Sequence, residues 1–516
     1  MRVLPIVAAL LLAPVSLLAG SGVTNNNASC DIGVTPAATL LLPYFEVETK
    51  AAVGTGANTL FTITNTSRYP QIAHVTIWTD WAFPVLSFDL FLTGYDVQGV
   101  NLYDVIVGGK LGQTGIQGDP GTAALTNDSN PNMILDSSRL DVRRTCAALP
   151  TAIPADVATA VTSALTVGTG YTSAAGACGN TQIGSADHGT LARGYVTVDV
   201  VSYCGSKMLP IDPLGSYYAG PDSPLLFDNV LLGDYQQIGL TPEHSGISRT
   251  FDALGAPMVH IRAVPEGGLS GAAGGQPVET SLPFTFYDRY TPNGARAADR
   301  RQPLPSEFAV RFYQFGPGSF ETDLKIWREG ISGATLACGA VKENSAMAVN
   351  SIVRYDDYDN VYIGGVFCHY YGCWVPTFPA VSRTSTADDR FPTNTGTAVS
   401  GWIFIDLNSE TTTTYEGPCR TSLSAQREGF GNCRNAPLGS GGSRTQTQAW
   451  MVASVFGAVG RNRFSYDFDA SWLGNGCSPG REERTPIRPL NHPDGALVCP
   501  DGAKCGVGTK PAVVNP

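Results

Sequence analysis

Apolar and polar residues alternate with a period of two in short runs along this chain, and 58 glycines and 35 prolines supply the turns between them. Side chains of a β-strand point alternately to opposite faces, so this period predicts strands with one face toward a core. The clearest runs are 59–66, 74–81, 87–93, 195–201, 307–313, 401–407 and 463–472. We therefore predict an all-β protein of antiparallel, β-sandwich-like layers.

One segment departs from the alternating pattern. Pro154 occupies a favourable position for a helix start, Asp156 follows it, and an Ala/Val/Leu run continues to Thr166. This combination predicts a helix over residues 154–166. A parallel sheet would need many such crossovers, so we expect at most one or two short helices.

The first twenty residues have the features of a secretory signal peptide. Arg2 supplies the positive start, residues 3–18 are mainly apolar, and Ala19 with Gly20 offers a small-residue cleavage site. The alternative is a membrane anchor, but that needs about 20 apolar residues, and two prolines interrupt this shorter run. We predict an exported protein, either secreted or located in the periplasm or at the cell surface, without a transmembrane segment after cleavage.

Twelve cysteines follow the predicted signal peptide. An even number of cysteines in an exported chain predicts disulfides, here in long loops, each stabilising the fold by roughly 2–4 kcal/mol. Zinc is the alternative, best placed at Cys368, His369 and Cys373, but a tetrahedral site needs four ligands. Proximity in sequence favours three disulfide pairs, although it cannot establish the connectivity: Cys146 with Cys178, Cys419 with Cys433, and Cys499 with Cys505.

Changes in composition along the chain predict four regions. Residues 1–20 form the signal peptide, residues 28–320 an N-terminal β-sandwich domain, and residues 321–477 a second β-rich domain. Residues 478–516 are rich in Pro and Gly and lack an alternating run, which predicts an irregular tail held by disulfide bonding.

Five short segments of the first part of the chain form a recognisable set. They are LLPYFEVE from Leu41, TLFTITNTS from Thr59, HVTIWTDW from His74, LTGYDVQ from Leu92 and ARGYVTVD from Ala192. Together they resemble a group of uncharacterised exported β-rich proteins of environmental bacteria. The resemblance covers mainly residues 30–315, implies export and a β-rich fold, and carries no assigned activity or catalytic residue.

The charge balance and the absence of familiar motifs reduce the number of function classes that the sequence supports. With 33 basic and 44 acidic residues, the formal net charge is −11, which disfavours nucleic acid as a partner because no basic face is available to replace counterions. The sequence lacks a nucleophile elbow, a His-Glu-x-x-His motif, a Walker loop and a dinucleotide glycine fingerprint. These absences favour a non-enzyme without excluding an enzyme, because triads can assemble from distant residues.

Trp78, Asp80 and Trp81 form the first candidate binding site. If Trp78 and Asp80 share an exposed strand face, an indole beside a carboxylate suits the apolar face and the hydroxyls of a sugar. Alternatively, Trp78 covers a sheet face in the interior, since tryptophan is usually largely buried.

Two groups of acidic residues form further candidates. Asp356, Asp357 and Asp359 supply hard oxygen ligands, so a structural Ca²⁺ is the one cofactor that the sequence suggests, against the alternative of a solvated loop. Asp467 and Asp469 are two residues apart in a strand-like run, about 6.6 Å along one face. That spacing is compatible with a paired-carboxylate glycosidase, with a metal site or with a half-exposed strand.

Three functions are compatible with these observations. The preferred one is a secreted, disulfide-stabilised structural or cell-surface protein, with or without a ligand-binding face. The second is a carbohydrate-binding or adhesive module using Trp78, Asp80 and Trp81, with a glycan or another cell-surface component as its partner. The third is a secreted glycoside hydrolase using Asp467 and Asp469.

Overall fold

The computed structural model describes residues 32–112, 149–204, 217, 224–263, 301–329, 347–407 and 448–472, with short gaps inside several of these ranges. The predicted signal peptide, the predicted tail and all six cysteines of the predicted disulfide pairs lie outside the described residues.

Strands dominate the described part of the chain, and two helices accompany them. The helices are α1 (Leu102–Ile106) and α2 (Ala155–Thr166). The strands of the first half are β1 (Thr39–Glu48), β2 (Asn58–Asn65), β3 (Gln71–Thr79), β4 (Pro84–Leu92), β5 (Val97–Asn101), β6 (Thr172–Ser173), β7 (Gly176–Ala177), β8 (Leu191–Val201), β9 (Leu231–Ile238), β10 (Leu254–Pro257) and β11 (Val259–Ile261).

The strands of the second half begin at residue 307. They are β12 (Glu307–Tyr313), β13 (Phe320–Arg328), β14 (Met347–Ala348), β15 (Ser351–Asp356), β16 (Val361–Gly364), β17 (Phe367–His369), β18 (Gly372–Trp374), β19 (Thr377–Phe378), β20 (Val381–Ser385), β21 (Ser400–Asp406), β22 (Ala449–Val459), β23 (Asn462–Asp469) and β24 (Ser471–Trp472).

Four sheets contain the longer strands. Sheet 1 has the order β11-β1-β8-β3-β4, sheet 2 the order β10-β9-β2-β5, sheet 3 the order β20-β13-β22-β23, and sheet 4 the order β16-β15-β21-β12-β24. Neighbouring strands in these sheets pair antiparallel. The predictions of a mostly β protein and of antiparallel pairing are therefore confirmed, and each of the seven alternating runs overlaps a strand.

The predicted domain boundary at residue 320 falls at the first residue of β13. The alternation of β12 is predicted correctly, but the strand pairs with β21 and β24, which belong to the region assigned to the second domain. Local alternation identifies a strand without identifying its partners, so the sequence does not reveal this pairing, and the division into domains remains a prediction.

Sheet 1 contributes side chains to two separate parts of the core. Alternate residues of β1 belong to different clusters because successive strand residues point to opposite faces. One cluster combines residues of sheets 1 and 2 and includes Leu40, Leu42, Phe45 and Val47. The other combines residues of sheets 1, 3 and 4 and includes Leu41 and Tyr44.

Helix α2 confirms the predicted helix. Pro154 precedes it as the N-cap, Asp156 lies in its first turn, and Val161, Ala164 and Leu165 are buried. An acidic residue near the N-terminus favours a helix because it complements the helix dipole. These buried residues belong to the cluster that combines residues of sheets 1 and 2, and α2 contacts β8 and β4. Helix α2 therefore packs on sheet 1.

Three cysteines lie among the described residues, and none of them belongs to a predicted pair. Cys204 follows β8 and is disulfide-bonded. The register of β17 and β18 places Cys368 opposite Cys373. The three predicted pairs themselves remain predictions.

Candidate functional site

The aromatic residues predicted to bind a glycan are buried. Trp78, Asp80 and Trp81 have relative exposures of 1%, 3% and 7%. The indole nitrogen of Trp78 donates a hydrogen bond to Thr197 Oγ1 at 2.9 Å, and its ring stacks on Tyr195 with the centroids 5.3 Å apart. Trp78 therefore covers a sheet face in the interior, the second of the two alternatives that the sequence left open, because both faces of sheet 1 are covered.

Asp80 and Trp81 share the partner Ser185. Asp80 accepts hydrogen bonds from the backbone nitrogen of Ser185 at 3.0 Å and from its hydroxyl, and Trp81 Nε1 donates to Ser185 Oγ at 3.0 Å. The backbone oxygen of Asp80 accepts from the nitrogen of Val381, in β20, at 2.8 Å. These contacts attach two other parts of the chain to the end of β3, so Asp80 and Trp81 have a structural role.

His188 is the titratable neighbour of Asp80. Its Nε2 lies 3.5 Å from Asp80 Oδ2. Desolvation opposes the charged imidazole, but the hydrogen bond and the charge of Asp80 outweigh it and raise the pKa of His188. Protonation of His188 thus strengthens this structural contact.

Asp356 and Asp357 form separate contacts. Asp356 Oδ1 accepts hydrogen bonds from the backbone nitrogens of Tyr358 and Asn360, each at 2.9 Å, and Oδ2 accepts from Asn360 Nδ2 at 2.8 Å. These bonds lower the pKa of Asp356, with the side chain of Asn360 contributing most. Asp357 instead pairs with Arg311, with 2.5 Å between Nη1 and Oδ1.

The predicted Ca²⁺ site is incomplete in the described region because Asp359 lies outside it. Within the described residues, no group of three or more His, Cys, Asp or Glu side chains could hold a metal ion. A structural Ca²⁺ at this turn therefore remains a prediction.

Asp467 and Asp469 lie on β23, but they make different contacts. The buried side chain of Asp467 has its Oδ2 2.7 Å from Lys325 Nζ and its Oδ1 2.7 Å from Ser454 Oγ. Asp469 Oδ1 accepts a hydrogen bond from Trp450 Nε1 at 3.0 Å. Desolvation, aided by the charge of Asp467, raises the pKa of Asp469 to about 6, although much of the residue remains exposed. Asp467 is thus held inside the protein, where a polysaccharide cannot reach it.

Buried charges also connect sheet 1 with sheet 3, and we call them the interlayer ion network. Arg383 of β20 is its centre, with Nη1 3.0 Å from Glu46 Oε2 in β1. Its Nε and Nη2 donate to Asp323 Oδ2, in β13, at 2.9 Å and 2.8 Å. One buried guanidinium therefore connects carboxylates of two sheets.

Arg193 of β8 and Glu243 complete the network on its more exposed side. Arg193 Nη2 lies 3.0 Å from Glu46 Oε1 and 2.7 Å from Glu243 Oε1. The backbone nitrogen of Glu243 donates to Asp323 Oδ2 at 3.1 Å. The side chains of Arg193 and Glu243 are partly exposed, so the network extends from the interior toward the solvent.

The two carboxylates that Arg383 connects have opposite pKa shifts. Desolvation opposes ionisation of Glu46, but the charges of Arg193 and Arg383 outweigh it and lower its pKa to about 2. Desolvation prevails at Asp323 despite Arg383, and with repulsion from Glu321 it raises the pKa to about 7. Asp323 Oδ1 has no hydrogen-bond partner among the described residues. Asp323 is therefore the member of this pair that is more easily protonated.

A different arrangement lies on the outer face of sheet 4. The register pairs Arg311 of β12 with Trp402 of β21, and Trp402 with Tyr355 of β15. We call these three residues the surface row. Trp402 is 45% exposed, whereas Ile403 and Ile405 of the same strand are buried. The surface row thus occupies the solvent-facing side of an alternating strand.

Arg311 supplies the polar part of this surface. Its guanidinium carbon lies 5.4 Å from the ring centroid of Tyr313 and 5.8 Å from that of Trp402. Desolvation opposes its charge, but the bond to Asp357 outweighs it and raises the pKa of Arg311. The hydroxyl of Ser400 and the guanidinium of Arg311 both donate to Asp357 and lower its pKa. A charged donor and a charged acceptor therefore lie together beside an exposed indole.

The sequence alone predicts part of this surface, namely which residues of each strand face outward. Alternation with Ile403 and Ile405 assigns Trp402 to the outer face, and alternation with Val310 and Phe312 does the same for Arg311. The missing information was the pairing that places three strands side by side, which is not encoded by any local pattern.

Comparisons of the chain with protein-family models, curated proteins and solved structures found no match. Neither helix in the described residues is long and apolar enough to span a bilayer. The assignment of function therefore rests on the geometry of the chain, and the resemblance to exported bacterial proteins remains a prediction.

Proposed function

We propose that this chain is an exported structural or cell-surface protein, stabilised by disulfides, whose sheets stack as β-sandwich-like layers. The interlayer ion network carries the proposal, because Arg383 joins Glu46 of sheet 1 to Asp323 of sheet 3. The two-sided core of β1 supports the stacking, and the disulfide at Cys204 supports an oxidising compartment.

The interlayer ion network affects the alignment of the layers more than their net stability. A buried ion pair adds little stability relative to well-packed apolar residues, but a buried charge that loses its partner is costly. If the layers slipped by one register position, Glu46 and Arg383 would lose each other in the interior. The network therefore favours one alignment of the layers, as suits a protein that must keep its shape outside the cell.

Fractionation of the native host tests the proposed location of the protein outside the cytoplasm. We expect the processed chain in the periplasm, at the surface or in the medium, with its cysteines paired in non-reducing peptide maps. Recovery of unprocessed chain from the cytoplasm with free thiols would contradict the proposal.

Limited proteolysis tests the structural role of the network. Arg383→Met leaves Glu46 and Asp323 without their shared partner, so cleavage should be much faster than in the wild type. Arg390→Met is the matched control, because Arg390 pairs locally with Asp388 and both side chains are partly exposed. Equal cleavage rates for the two variants would count against a role of the network in holding the layers.

A further inference from the structure

We propose that the surface row of Arg311, Trp402 and Tyr355 binds a neutral glycan that lies across β12, β21 and β15. The site lies on the outer face of sheet 4, apart from the interlayer ion network. The proposal therefore does not depend on the structural role of that network.

The apolar part of the site is the indole of Trp402. It is 45% exposed at a central strand of sheet 4, between β15 and β12. The face of an aromatic ring carries partial negative charge, which attracts the weakly positive C–H groups on one face of a sugar ring. Tryptophan, tyrosine and arginine are also the residue types that most often dominate binding energy in an interface.

The polar part of the site indicates that the ligand is neutral. Arg311 and Asp357 lie 2.5 Å apart and largely cancel each other's charge. An anionic ligand would be repelled by Asp357, and a cationic ligand would compete with Arg311. A sugar hydroxyl can accept a hydrogen bond from Arg311 and donate one to Asp357, so an uncharged polyhydroxyl ligand is complementary to both groups.

The dimensions indicate an oligosaccharide rather than a single sugar. Neighbouring strands are about 4.8 Å apart, so the surface row is roughly 10 Å long, enough for about two sugar rings. The exposed Val361 of β16 lies opposite Tyr355 and extends the surface by a further strand. Affinity should therefore increase from monosaccharide to short oligosaccharide.

The test is titration calorimetry with neutral glucan, xylan and mannan oligosaccharides, with alginate oligosaccharides as the anionic comparison. We expect the wild type to bind at least one neutral series and Trp402→Ala to weaken that binding at least tenfold. Tyr466→Ala is the matched control, because Tyr466 is a similarly exposed aromatic residue, at 43%, on β23 of another sheet. Its affinity should equal that of the wild type.

Trp402→Tyr keeps a ring at the site, so we expect a loss of only a few-fold and an unchanged melting temperature. This variant also provides the test if Trp402→Ala does not fold. The proposal is overturned if the wild type binds no neutral oligosaccharide, if it binds only alginate, or if both alanine variants bind as the wild type does. Equal losses in Trp402→Ala and Tyr466→Ala, or binding of a proline-rich peptide in place of the glycans, would also overturn it.

Discussion

Trp78 and Trp402 occupy similar positions in their sheets but have opposite environments. Each lies on a strand with a neighbour on both sides, β3 of sheet 1 or β21 of sheet 4, and on the face opposite an apolar row. Trp78 is buried and Trp402 is 45% exposed. Alternation therefore predicts which residues share a face, but it does not predict whether another layer covers that face.

The covered face requires polar side chains to find partners inside the protein. His74 Nδ1 lies 2.6 Å from Asp89 Oδ1, and Trp78 donates to Thr197. An unpaired polar group in the interior is costly, so these contacts join strands of the sheet. On the outer face of sheet 4, Arg311 and Asp357 can instead exchange their contacts with water or with a ligand.

The largest expected effect comes from Trp78→Ala. Removing a buried tryptophan leaves a cavity and should lower the free energy of unfolding by about 3–5 kcal/mol. Thr197 Oγ1 would also lose its hydrogen bond from the indole. Urea unfolding followed by circular dichroism measures the change, and a loss below about 1 kcal/mol would remove the contrast with Trp402.

A similar but separable effect is expected from Lys325→Met. The substitution leaves Asp467 buried without its partner, which should cost about 3 kcal/mol or more. The double variant Lys325→Met/Asp467→Leu removes both charges and should regain most of the stability. If the double variant is no more stable than Lys325→Met, unpaired charge is not the cause of the loss.

The interlayer ion network should make stability depend on pH in two opposite ways. The pKa of Asp323 is about 7 in the folded state against an ordinary value of 3.8. The folded state therefore holds this proton more tightly, so the contribution of Asp323 is fully present below about pH 4 and is lost as the pH rises toward 7. Asp323→Asn should remove a decline that approaches about 1.4 kcal/mol per pH unit, the value for one proton.

Glu46 supplies the opposing control in the same network. Its pKa is about 2 in the folded state against an ordinary value of 4.5. Its contribution is therefore present above pH 4.5 and is lost as the pH falls toward 2. Each amide resembles the protonated acid, so urea unfolding should show opposite trends for the two variants. Glu46→Gln should match the wild type near pH 2 and lose stability toward neutral pH. Asp323→Asn should match the wild type below about pH 4 and gain stability relative to it as the pH rises toward 7. Parallel pH profiles for the two variants would contradict the assignment of these charges.

The sequence predicted local structure better than it predicted layers or sites. The run 307–313 coincides with β12, and the predicted helix agrees with α2 apart from Pro154, its N-cap. Both features arise from residues close in sequence. Burial of Trp78 depends on the packing of sheet 1 against the rest of the core, and the surface row depends on the pairing of β12, β21 and β15. These are long-range arrangements that alternation within a strand does not specify.

The smallest expected effect on stability comes from Trp402→Ala. Because the side chain is 45% exposed, its removal should change the free energy of unfolding by less than about 1 kcal/mol. Fluorescence quenching by iodide gives an independent readout, since Trp402→Phe should lower the quenchable fraction of the emission, whereas Trp78→Phe removes a buried emitter and should raise that fraction. A large loss of stability in Trp402→Ala, together with an unchanged quenchable fraction in Trp402→Phe, would mean that the outer face of sheet 4 is covered. Trp402 would then be as buried as Trp78.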